Sequence, residues 1–341
     1  MTSQNGNFTS HEERKYIGMT LDPVHIGTGG YRLGRVDNTI ARDPTTNLPV
    51  VFGSSLEGTA RTYSAYKLIE ERKNNKYLNC IGKSDEETGK RVQCGACEIC
   101  LTYGFSTKEK SLHGMAQFSD AQILFFPVHT MYGPVWVTCP GILNDFLVDG
   151  IGDLDSKLSI LKNKEEKAWT NLKTKGKINL GWLYLGVLEN NGISPEKWTF
   201  KDGEKETEKE LGEIKNLKEI LDRMVIVSDS LFSQIVNSNL EVRTSVSIDP
   251  KTGAAEEGAL FTYEAIPRAT VMYFTVTYLN PENFNLNEVK FKGKDKNPEM
   301  NDMIDTVKKG LELFEFLGIG GMNTRGFGRF KILNLGDSHG K

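Results

Sequence analysis

The chain has 341 residues, 38% of them apolar and 9% aromatic, which is enough for a sizeable core and compatible with one elaborated domain or two ordinary ones. No run of 18 apolar residues occurs and the first fifteen residues are polar and charged, so a membrane span and a cleaved leader are not expected and the cytoplasm is the default location. A formal charge of −3, from 42 basic and 45 acidic residues, argues against a protein that grips nucleic acid by bulk positive charge; any polyanion site must be local.

Taken in chain order, Lys15–Leu21 reads as a strand, rich in β-branched and aromatic residues. It is followed by a segment with four glycines in eight residues, including Gly27 and Gly29, with Arg32 and Arg35 beside them. Such a backbone is free to turn its N–H groups towards an anion, although the spacing is that of neither a Walker loop nor a dinucleotide fingerprint. Next, Gly53-Ser54-Ser55 opens a helix that runs through Leu56, Ala60, Tyr63 and Leu68. A serine cap, free N–H groups and the dipole make that helix start a second anion site, and Arg61 emerges two turns later.

Cys94, Cys97 and Cys100 sit at the tight spacing that lets thiolates converge on one ion, with Cys80 as the fourth ligand. A closed four-thiolate zinc site follows, structural because no position is left for water. An iron–sulfur cluster is the competing reading, and His113 is an alternative fourth ligand. Cys139, in an apolar run, reads as a small buried hydrophobe.

Further strands are expected at Gln117–Phe126, Val135–Val137, Leu180–Leu188, Ala259–Ile266 and Thr270–Tyr278. Two charged stretches interrupt them. Lys157–Lys177 is rich in lysine, and Lys201–Asp222 holds eight acids and five lysines, a surplus that accounts for the whole net charge. Both read as surface excursions, the second as a solvated helix or insertion. A second helix carries Ile304, Val307, Leu311, Phe314 and Leu317 and stops at Gly318. Gly318–Gly328 then packs five glycines into eleven residues, among them Gly320 and Gly321, with Arg325 and Arg329 placed to neutralise phosphates before a strand from Arg329 to Leu335. Strands interleaved with two helices predict an α+β fold with helices on one face of a sheet, the ferredoxin-like arrangement of RNA-recognition domains, in one globular unit with long insertions.

In this order the motifs resemble a known family. The blocks His25–Gly29 with Val36-Asp37-Asn38, Ile40–Arg61, Phe118–Pro140, Arg243–Glu264 and Gly318–Gly328 are similar to those of the backbone subunits of type III CRISPR RNA-guided effector complexes, in the RAMP superfamily. Phe118–Pro140 looks most like the Cmr type (III-B), whereas the cysteine cluster is more usual in Csm-type and variant type III members. The resemblance implies one RRM-like domain over residues 1–341, with an RRM-like palm, a zinc-bearing insertion at 71–116, a charged insertion at 141–225 and a thumb hairpin at 241–266. It implies guide RNA, complementary target RNA, further copies of the chain and other subunits of the complex as partners. The implied activity is target RNA cleavage dependent on Mg²⁺ or Mn²⁺. Asp37 matches the aspartate of the family's catalytic loop, serving as base or metal anchor. His25 would orient RNA, Glu264 and Arg268 would be second-tier contacts to metal and phosphate, and His129 would be structural. The thumb would offer Ile248, Ala255 and Leu260 to an unstacked base. Pro250 and Glu57 depart from the family pattern, standing where basic residues are common. The alternative is a guide-binding scaffold whose complex cuts elsewhere.

Overall fold

The computed structural model describes residues 9–29, 36–82, 93–107, 110–148, 166–188, 193–202, 207–284, 286 and 297–335; Arg32 and Arg35 lie outside them. The chain divides into two compact units, each drawn from three separated segments: Met1–Lys15, Gly53–Asp120 and Phe274–Phe314 in one, Tyr16–Phe52, Ala121–Tyr273 and Glu315–Lys341 in the other.

In the first unit, helix Gly53–Arg72 buries Leu56, Ala60 and Leu68, and helix Met300–Glu312 buries Met303, Val307 and Leu311. The apolar spacing gives each helix one sticky stripe, and a reciprocal cap between Glu299 and Asp302 starts the second. The two helices meet closely at Gly310, where a Cβ would stand 2.4 Å from the Ala60 carbonyl oxygen. Ser64 Oγ, fully buried, donates to the Thr306 carbonyl at 2.7 Å across this contact. A third, short helix, Glu98–Tyr103, follows the cysteine segment and hydrogen-bonds to Met303 through Thr102.

The second unit is organised by a sheet with strands in the order Phe330–Ile332, His11–Thr20, Val271–Leu279, Gln122–Thr130, Gly133–Thr138, Met224–Ile226, Lys167–Thr170, Leu183–Leu188 and Lys177–Leu180. His11–Thr20 and Val271–Leu279 each contribute residues to both units. The first four strands in this order are, in chain sequence, last, first, third and second of a set. The helices Gly53–Arg72 and Met300–Glu312 fall between the first and second and between the third and last. The fold is therefore mixed α/β with a large central sheet.

Several expectations change at the level of single elements. The run Gln117–Phe126 breaks into Ala116–Phe118 and Gln122–Thr130, because Ser119 and Asp120 leave the ladder. Leu180–Leu188 is a hairpin rather than one strand, turning at Gly181 and Trp182. The lysine-rich run is not wholly an excursion: Lys167–Thr170 is a sheet strand with Trp169 fully buried. Lys201–Asp222 is no solvated helix among its described residues. It holds the end of the hairpin Thr199–Lys201/Glu208–Glu210 and a five-residue helix, anchored by Leu211, Leu217 and Ile220. Charge had masked the apolar residues that fold it.

A second hairpin, Glu241–Ile248 with Ala255–Ala265, stands apart in its own two-stranded sheet. Asp249 makes its tip: the carboxylate accepts from the Lys251 N–H at 2.8 Å and from the Thr252 hydroxyl at 3.1 Å, an Asx turn closed by Gly253 with φ 67°.

Candidate nucleic-acid interface and metal centre

The hairpin has two unlike faces, because residues paired across antiparallel strands share a side and alternate along each strand. Val246 opposes Leu260, Thr244 opposes Thr262 and Val242 opposes Glu264 on one face. Leu260 is 65% exposed, and Ile248, towards the tip, is 59% exposed. The other face carries Arg243, Phe261 and Tyr263 and packs against Phe327 and Met322 of the glycine-rich loop.

Asp37 is fastened to the first face. Its backbone N–H donates to Thr262 Oγ1 at 3.0 Å, and its Oδ2 accepts from the Thr262 N–H at 2.8 Å and hydroxyl at 3.0 Å. Oδ1 has no partner among the described residues. The two bonds from Thr262 hold the carboxyl below its ordinary range, so it stays ionised well into acid. Thr262 is two residues from Leu260 on the same side, a spacing of about 7 Å. An exposed carboxylate thus stands beside an exposed apolar patch.

Glu264 and His25 lie beneath this surface, not on it. Glu264 is 8% exposed. Its Oε1 accepts from Arg42 Nη2 at 2.6 Å and its Oε2 from the Ile40 N–H at 3.2 Å, while its own N–H donates to the Asn38 carbonyl at 2.9 Å. Both carboxylate oxygens are engaged, so its work is to clamp the Asp37 loop to the hairpin. His25 is 6% exposed. Its Nδ1 lies 2.7 Å from the Glu264 carbonyl oxygen; a carbonyl only accepts, so Nδ1 carries the proton. Its ring meets Tyr263 edge-on. Arg42→Ala is expected to leave the Glu264 carboxylate partly buried without its counter-charge and to cost about 2 kcal/mol of stability, read as a lower urea midpoint at unchanged slope.

The glycine cluster answers first to geometry within the chain. Gly320 has φ 72°, and a Cβ there would stand 2.6 Å from the His25 carbonyl oxygen. Gly328 has φ 97° and would meet Asn323 Oδ1 at 2.3 Å. Gly321 pairs with His25 through a backbone bond of 2.9 Å. These glycines bring the loop against the His25 segment, which explains their density without a phosphate. Gly27 bridges Ile40, and Gly29, with φ 71°, faces open space.

The cations gather at the hairpin's base. Arg325 is exposed and donates to the Tyr263 hydroxyl at 3.3 Å. Arg329 forms a two-pronged pair with Asp22 at 2.5 and 3.0 Å, and this pair, with Arg268 and Arg243 nearby, holds the Asp22 carboxyl below its ordinary range. Arg243 is paired in turn with Glu241, so of these three arginines Arg268 carries the local positive surplus. Arg243 was not picked out by sequence; its position in alternation with Phe261 and Tyr263 was the available signal. Thr262 and Arg42 were likewise missed.

At the other candidate anion site, helix Gly53–Arg72 starts at Gly53 itself, so Ser54 and Ser55 lie inside its first turn. The Gly53 N–H donates to Asp120 Oδ1 at 2.7 Å, so a carboxylate already sits at that helix start. Arg61 points elsewhere: Nε donates to the Cys80 carbonyl at 2.8 Å and Nη1 to that of Tyr103 at 3.4 Å. Burial pushes the Glu57 carboxyl up, partly offset by Arg61.

That arginine braces the cysteine cluster. The Sγ atoms of Cys80, Cys94, Cys97 and Cys100 all lie within 4.8 Å of one another, Cys80 3.6 Å from Cys94 and Cys94 3.9 Å from Cys100. Four thiolates around a tetrahedral zinc stand about 3.8 Å apart, so the spacing fits one ion. Among these crowded thiols the neighbouring Cys100 draws Cys80 down to about 7 and Cys94 lower, while the same crowding pushes Cys97 and Cys100 up. His113 is not in the set; its ring lies edge-on to Phe284. Cys139 is buried, and burial pushes its thiol up.

A hairpin that presents apolar residues beside an anchored carboxylate, with arginines near its base, defines a class of RNA-handling protein. The family model of the RAMP superfamily matches residues 19–331, and the chain belongs to that superfamily. Over 334 residues it is 27% identical to the CRISPR system Cmr endoribonuclease Cmr4 of Pyrococcus furiosus, covering 94% of this chain and 97% of that protein. Its fold is that of a chain in the type III-B Cmr-beta complex bound to cognate target RNA, with TM-score 0.57, 17% identity and 95% and 97% of the two chains covered. The same holds for oligomeric Cmr4 from Pyrococcus furiosus, with TM-score 0.51, 22% identity and 94% and 98% covered. Among the described residues no helix is long and apolar enough to cross a membrane.

Proposed function

We propose that the chain is a backbone subunit of a type III CRISPR effector, of the Cmr type, that holds guide RNA and cleaves complementary target RNA within the assembled complex. The observation that carries this reading is the fastening of Asp37 to the hairpin face that exposes Val246 and Leu260. An unstacked base held on that face would bring its sugar and phosphate to the carboxylate. Its Cmr4 relative is an endoribonuclease, and its structural neighbours include a complex bound to target RNA and an oligomer, which supports the same partners here: guide RNA, target RNA, further copies and other subunits. The cytoplasm is the compartment such a complex requires.

The reaction is attack of a ribose 2′-oxygen on the adjacent phosphorus. The bond to the 5′-oxygen breaks, leaving a 2′,3′-cyclic phosphate and a 5′-hydroxyl, and the 2′ proton is passed to solvent or to the leaving oxygen. A carboxyl held low by Thr262 is a poor proton acceptor, so Asp37 serves better as an anchor for charge than as a base. A divalent cation, Mg²⁺ or Mn²⁺, held by Asp37 and phosphate oxygens would supply neutralisation of the charge that builds at the scissile phosphate. Glu264 and His25 fix the position of that carboxylate, and Arg268, Arg325 and Arg329 neutralise the RNA backbone.

We further assign zinc to the four cysteines, on their spacing and all-thiolate chemistry. The strand order with its two intervening helices supports a ferredoxin-like palm, with residues 241–266 as the thumb, 71–116 as the metal-pinned insertion and 141–225 as the charged insertion of one domain, 1–341. Co-expression with the partner subunits, followed by sequencing of the RNA that co-purifies, tests the reading. Guide RNAs and magnesium-dependent cutting of their complements are expected; a complex free of RNA overturns it. Arg325→Ala should weaken RNA binding several-fold whatever the sequence and lower the salt slope by about 1, measured by filter binding across salt.

A further inference from the structure

The edge hairpin Lys177–Leu180/Leu183–Leu188 carries exposed chemistry that the Asp37 surface does not use. Its inner face is already buried, with Ile178, Leu180 and Leu185 nearly free of solvent contact. Leu180 pairs with Leu183, leaving Gly181 and Trp182 as a two-residue turn with Gly181 at φ 58°. That turn sets Trp182 at the tip, 94% exposed, and alternation puts Tyr184, 59% exposed, on the outer face. Lys177 Nζ sits 5.2 Å from the centre of the Tyr184 ring. Residues 171–186 contain Lys173, Lys175 and Lys177, all exposed, and no acid. The segment is held in place, since the Lys175 N–H donates to the Tyr132 hydroxyl at 3.1 Å and the Met131 N–H to Asn179 Oδ1 at 2.7 Å.

A hairpin that has satisfied its core has no folding reason to expose a tryptophan and a tyrosine. Rings interleaved with cations, on a hairpin that itself carries no acid, match one ligand chemistry: a flexible polyanion that carries flat bases. We propose that this hairpin is a second RNA-contact surface, which stacks an unpaired base on Trp182 and holds phosphates further along the same RNA strand with Lys177, Lys175 and Lys173. The charge complementarity favours RNA over a protein partner. Sequence preference is absent from such a surface, because every base has a π-face.

Trp182 reports on itself. Of the four tryptophans, Trp169 and Trp198 are buried and Trp136 donates to the Ala269 carbonyl at 2.8 Å, which leaves Trp182 as the fully exposed one. Full-length protein is titrated with an oligouridylate of about ten nucleotides while tryptophan emission is followed. Quenching is expected, lost in Trp182→Leu, with affinity for the Trp182 site regained in Trp182→Phe when read by competition. Lys173→Glu with Lys175→Glu should weaken the quench-linked affinity about tenfold and flatten its salt dependence. Because Trp182 is the fully exposed tryptophan, its quench reads this hairpin and not the Asp37 interface. No quench with the oligonucleotide, an equal quench with base-free polyphosphate, or a response only to added protein subunits would each overturn the proposal.

Discussion

Under the proposed function, Asp37→Ala is expected to lower target RNA cleavage by the assembled complex by about a thousandfold or more while the bound guide stays in place, because it would remove a group at the reacting phosphate and leave the backbone contacts. Single-turnover cutting of a labelled complement, beside a measurement of co-purified guide, reads both sides of this expectation. Unchanged cleavage with guide retained would reduce the subunit to a scaffold. Thr262→Val sharpens the test. In the native protein Thr262 holds the Asp37 carboxyl below its ordinary range, so the active anion persists to lower pH than an unassisted aspartate would allow. Losing the hydroxyl bond raises that pKa, and the acid limb of the cleavage profile shifts to higher pH. A merely structural Thr262 would lower the rate without moving the limb.

Cys97→Ser is expected to release the zinc proposed for the four cysteines and to loosen the segment around it. Three thiolates cannot close the site, and the free energy of binding is lost from folding, where structural zinc contributes about 10 kcal/mol or more in small domains. Here a larger unit shares the load, through the helices Gly53–Arg72 and Met300–Glu312, so a fall in melting temperature is expected rather than complete unfolding. Elemental analysis should give one zinc per wild-type chain and none in the variant. Wild-type protein purified without metal would remove the assignment. Arg61 ties the Cys80 carbonyl to that of Tyr103, so the loosening should spread along the first helix.

Motifs with fixed spacing were legible in the sequence. The cysteines converge as their spacing requires, and Asp37 reaches the surface beside the hairpin that the turn at Asp249 announces. What the sequence hid was partnership. Glu264 reads as a free carboxylate until Arg42 and the Ile40 N–H are found on its two oxygens, contacts more than two hundred residues apart in the chain. Arg61 reads as a phosphate ligand until the carbonyls it serves come into view. The glycine-rich loop looks made for RNA, yet at Gly320 and Gly328 the crowding comes from His25 and Asn323. Alternating charge in Lys201–Asp222 hid Leu211, Leu217 and Ile220, since a few buried leucines suffice to fold a short polar hairpin.

The attachment of Asp37 to a strand, instead of to its own loop, makes the protein a ruler. Strand rise is nearly invariant, so under the proposed function the offset between the exposed Leu260 side chain and the Asp37 carboxylate is set by the ladder of the hairpin. In a row of identical copies, scission would then recur with the period of the protein itself, in phase along the RNA whatever its sequence.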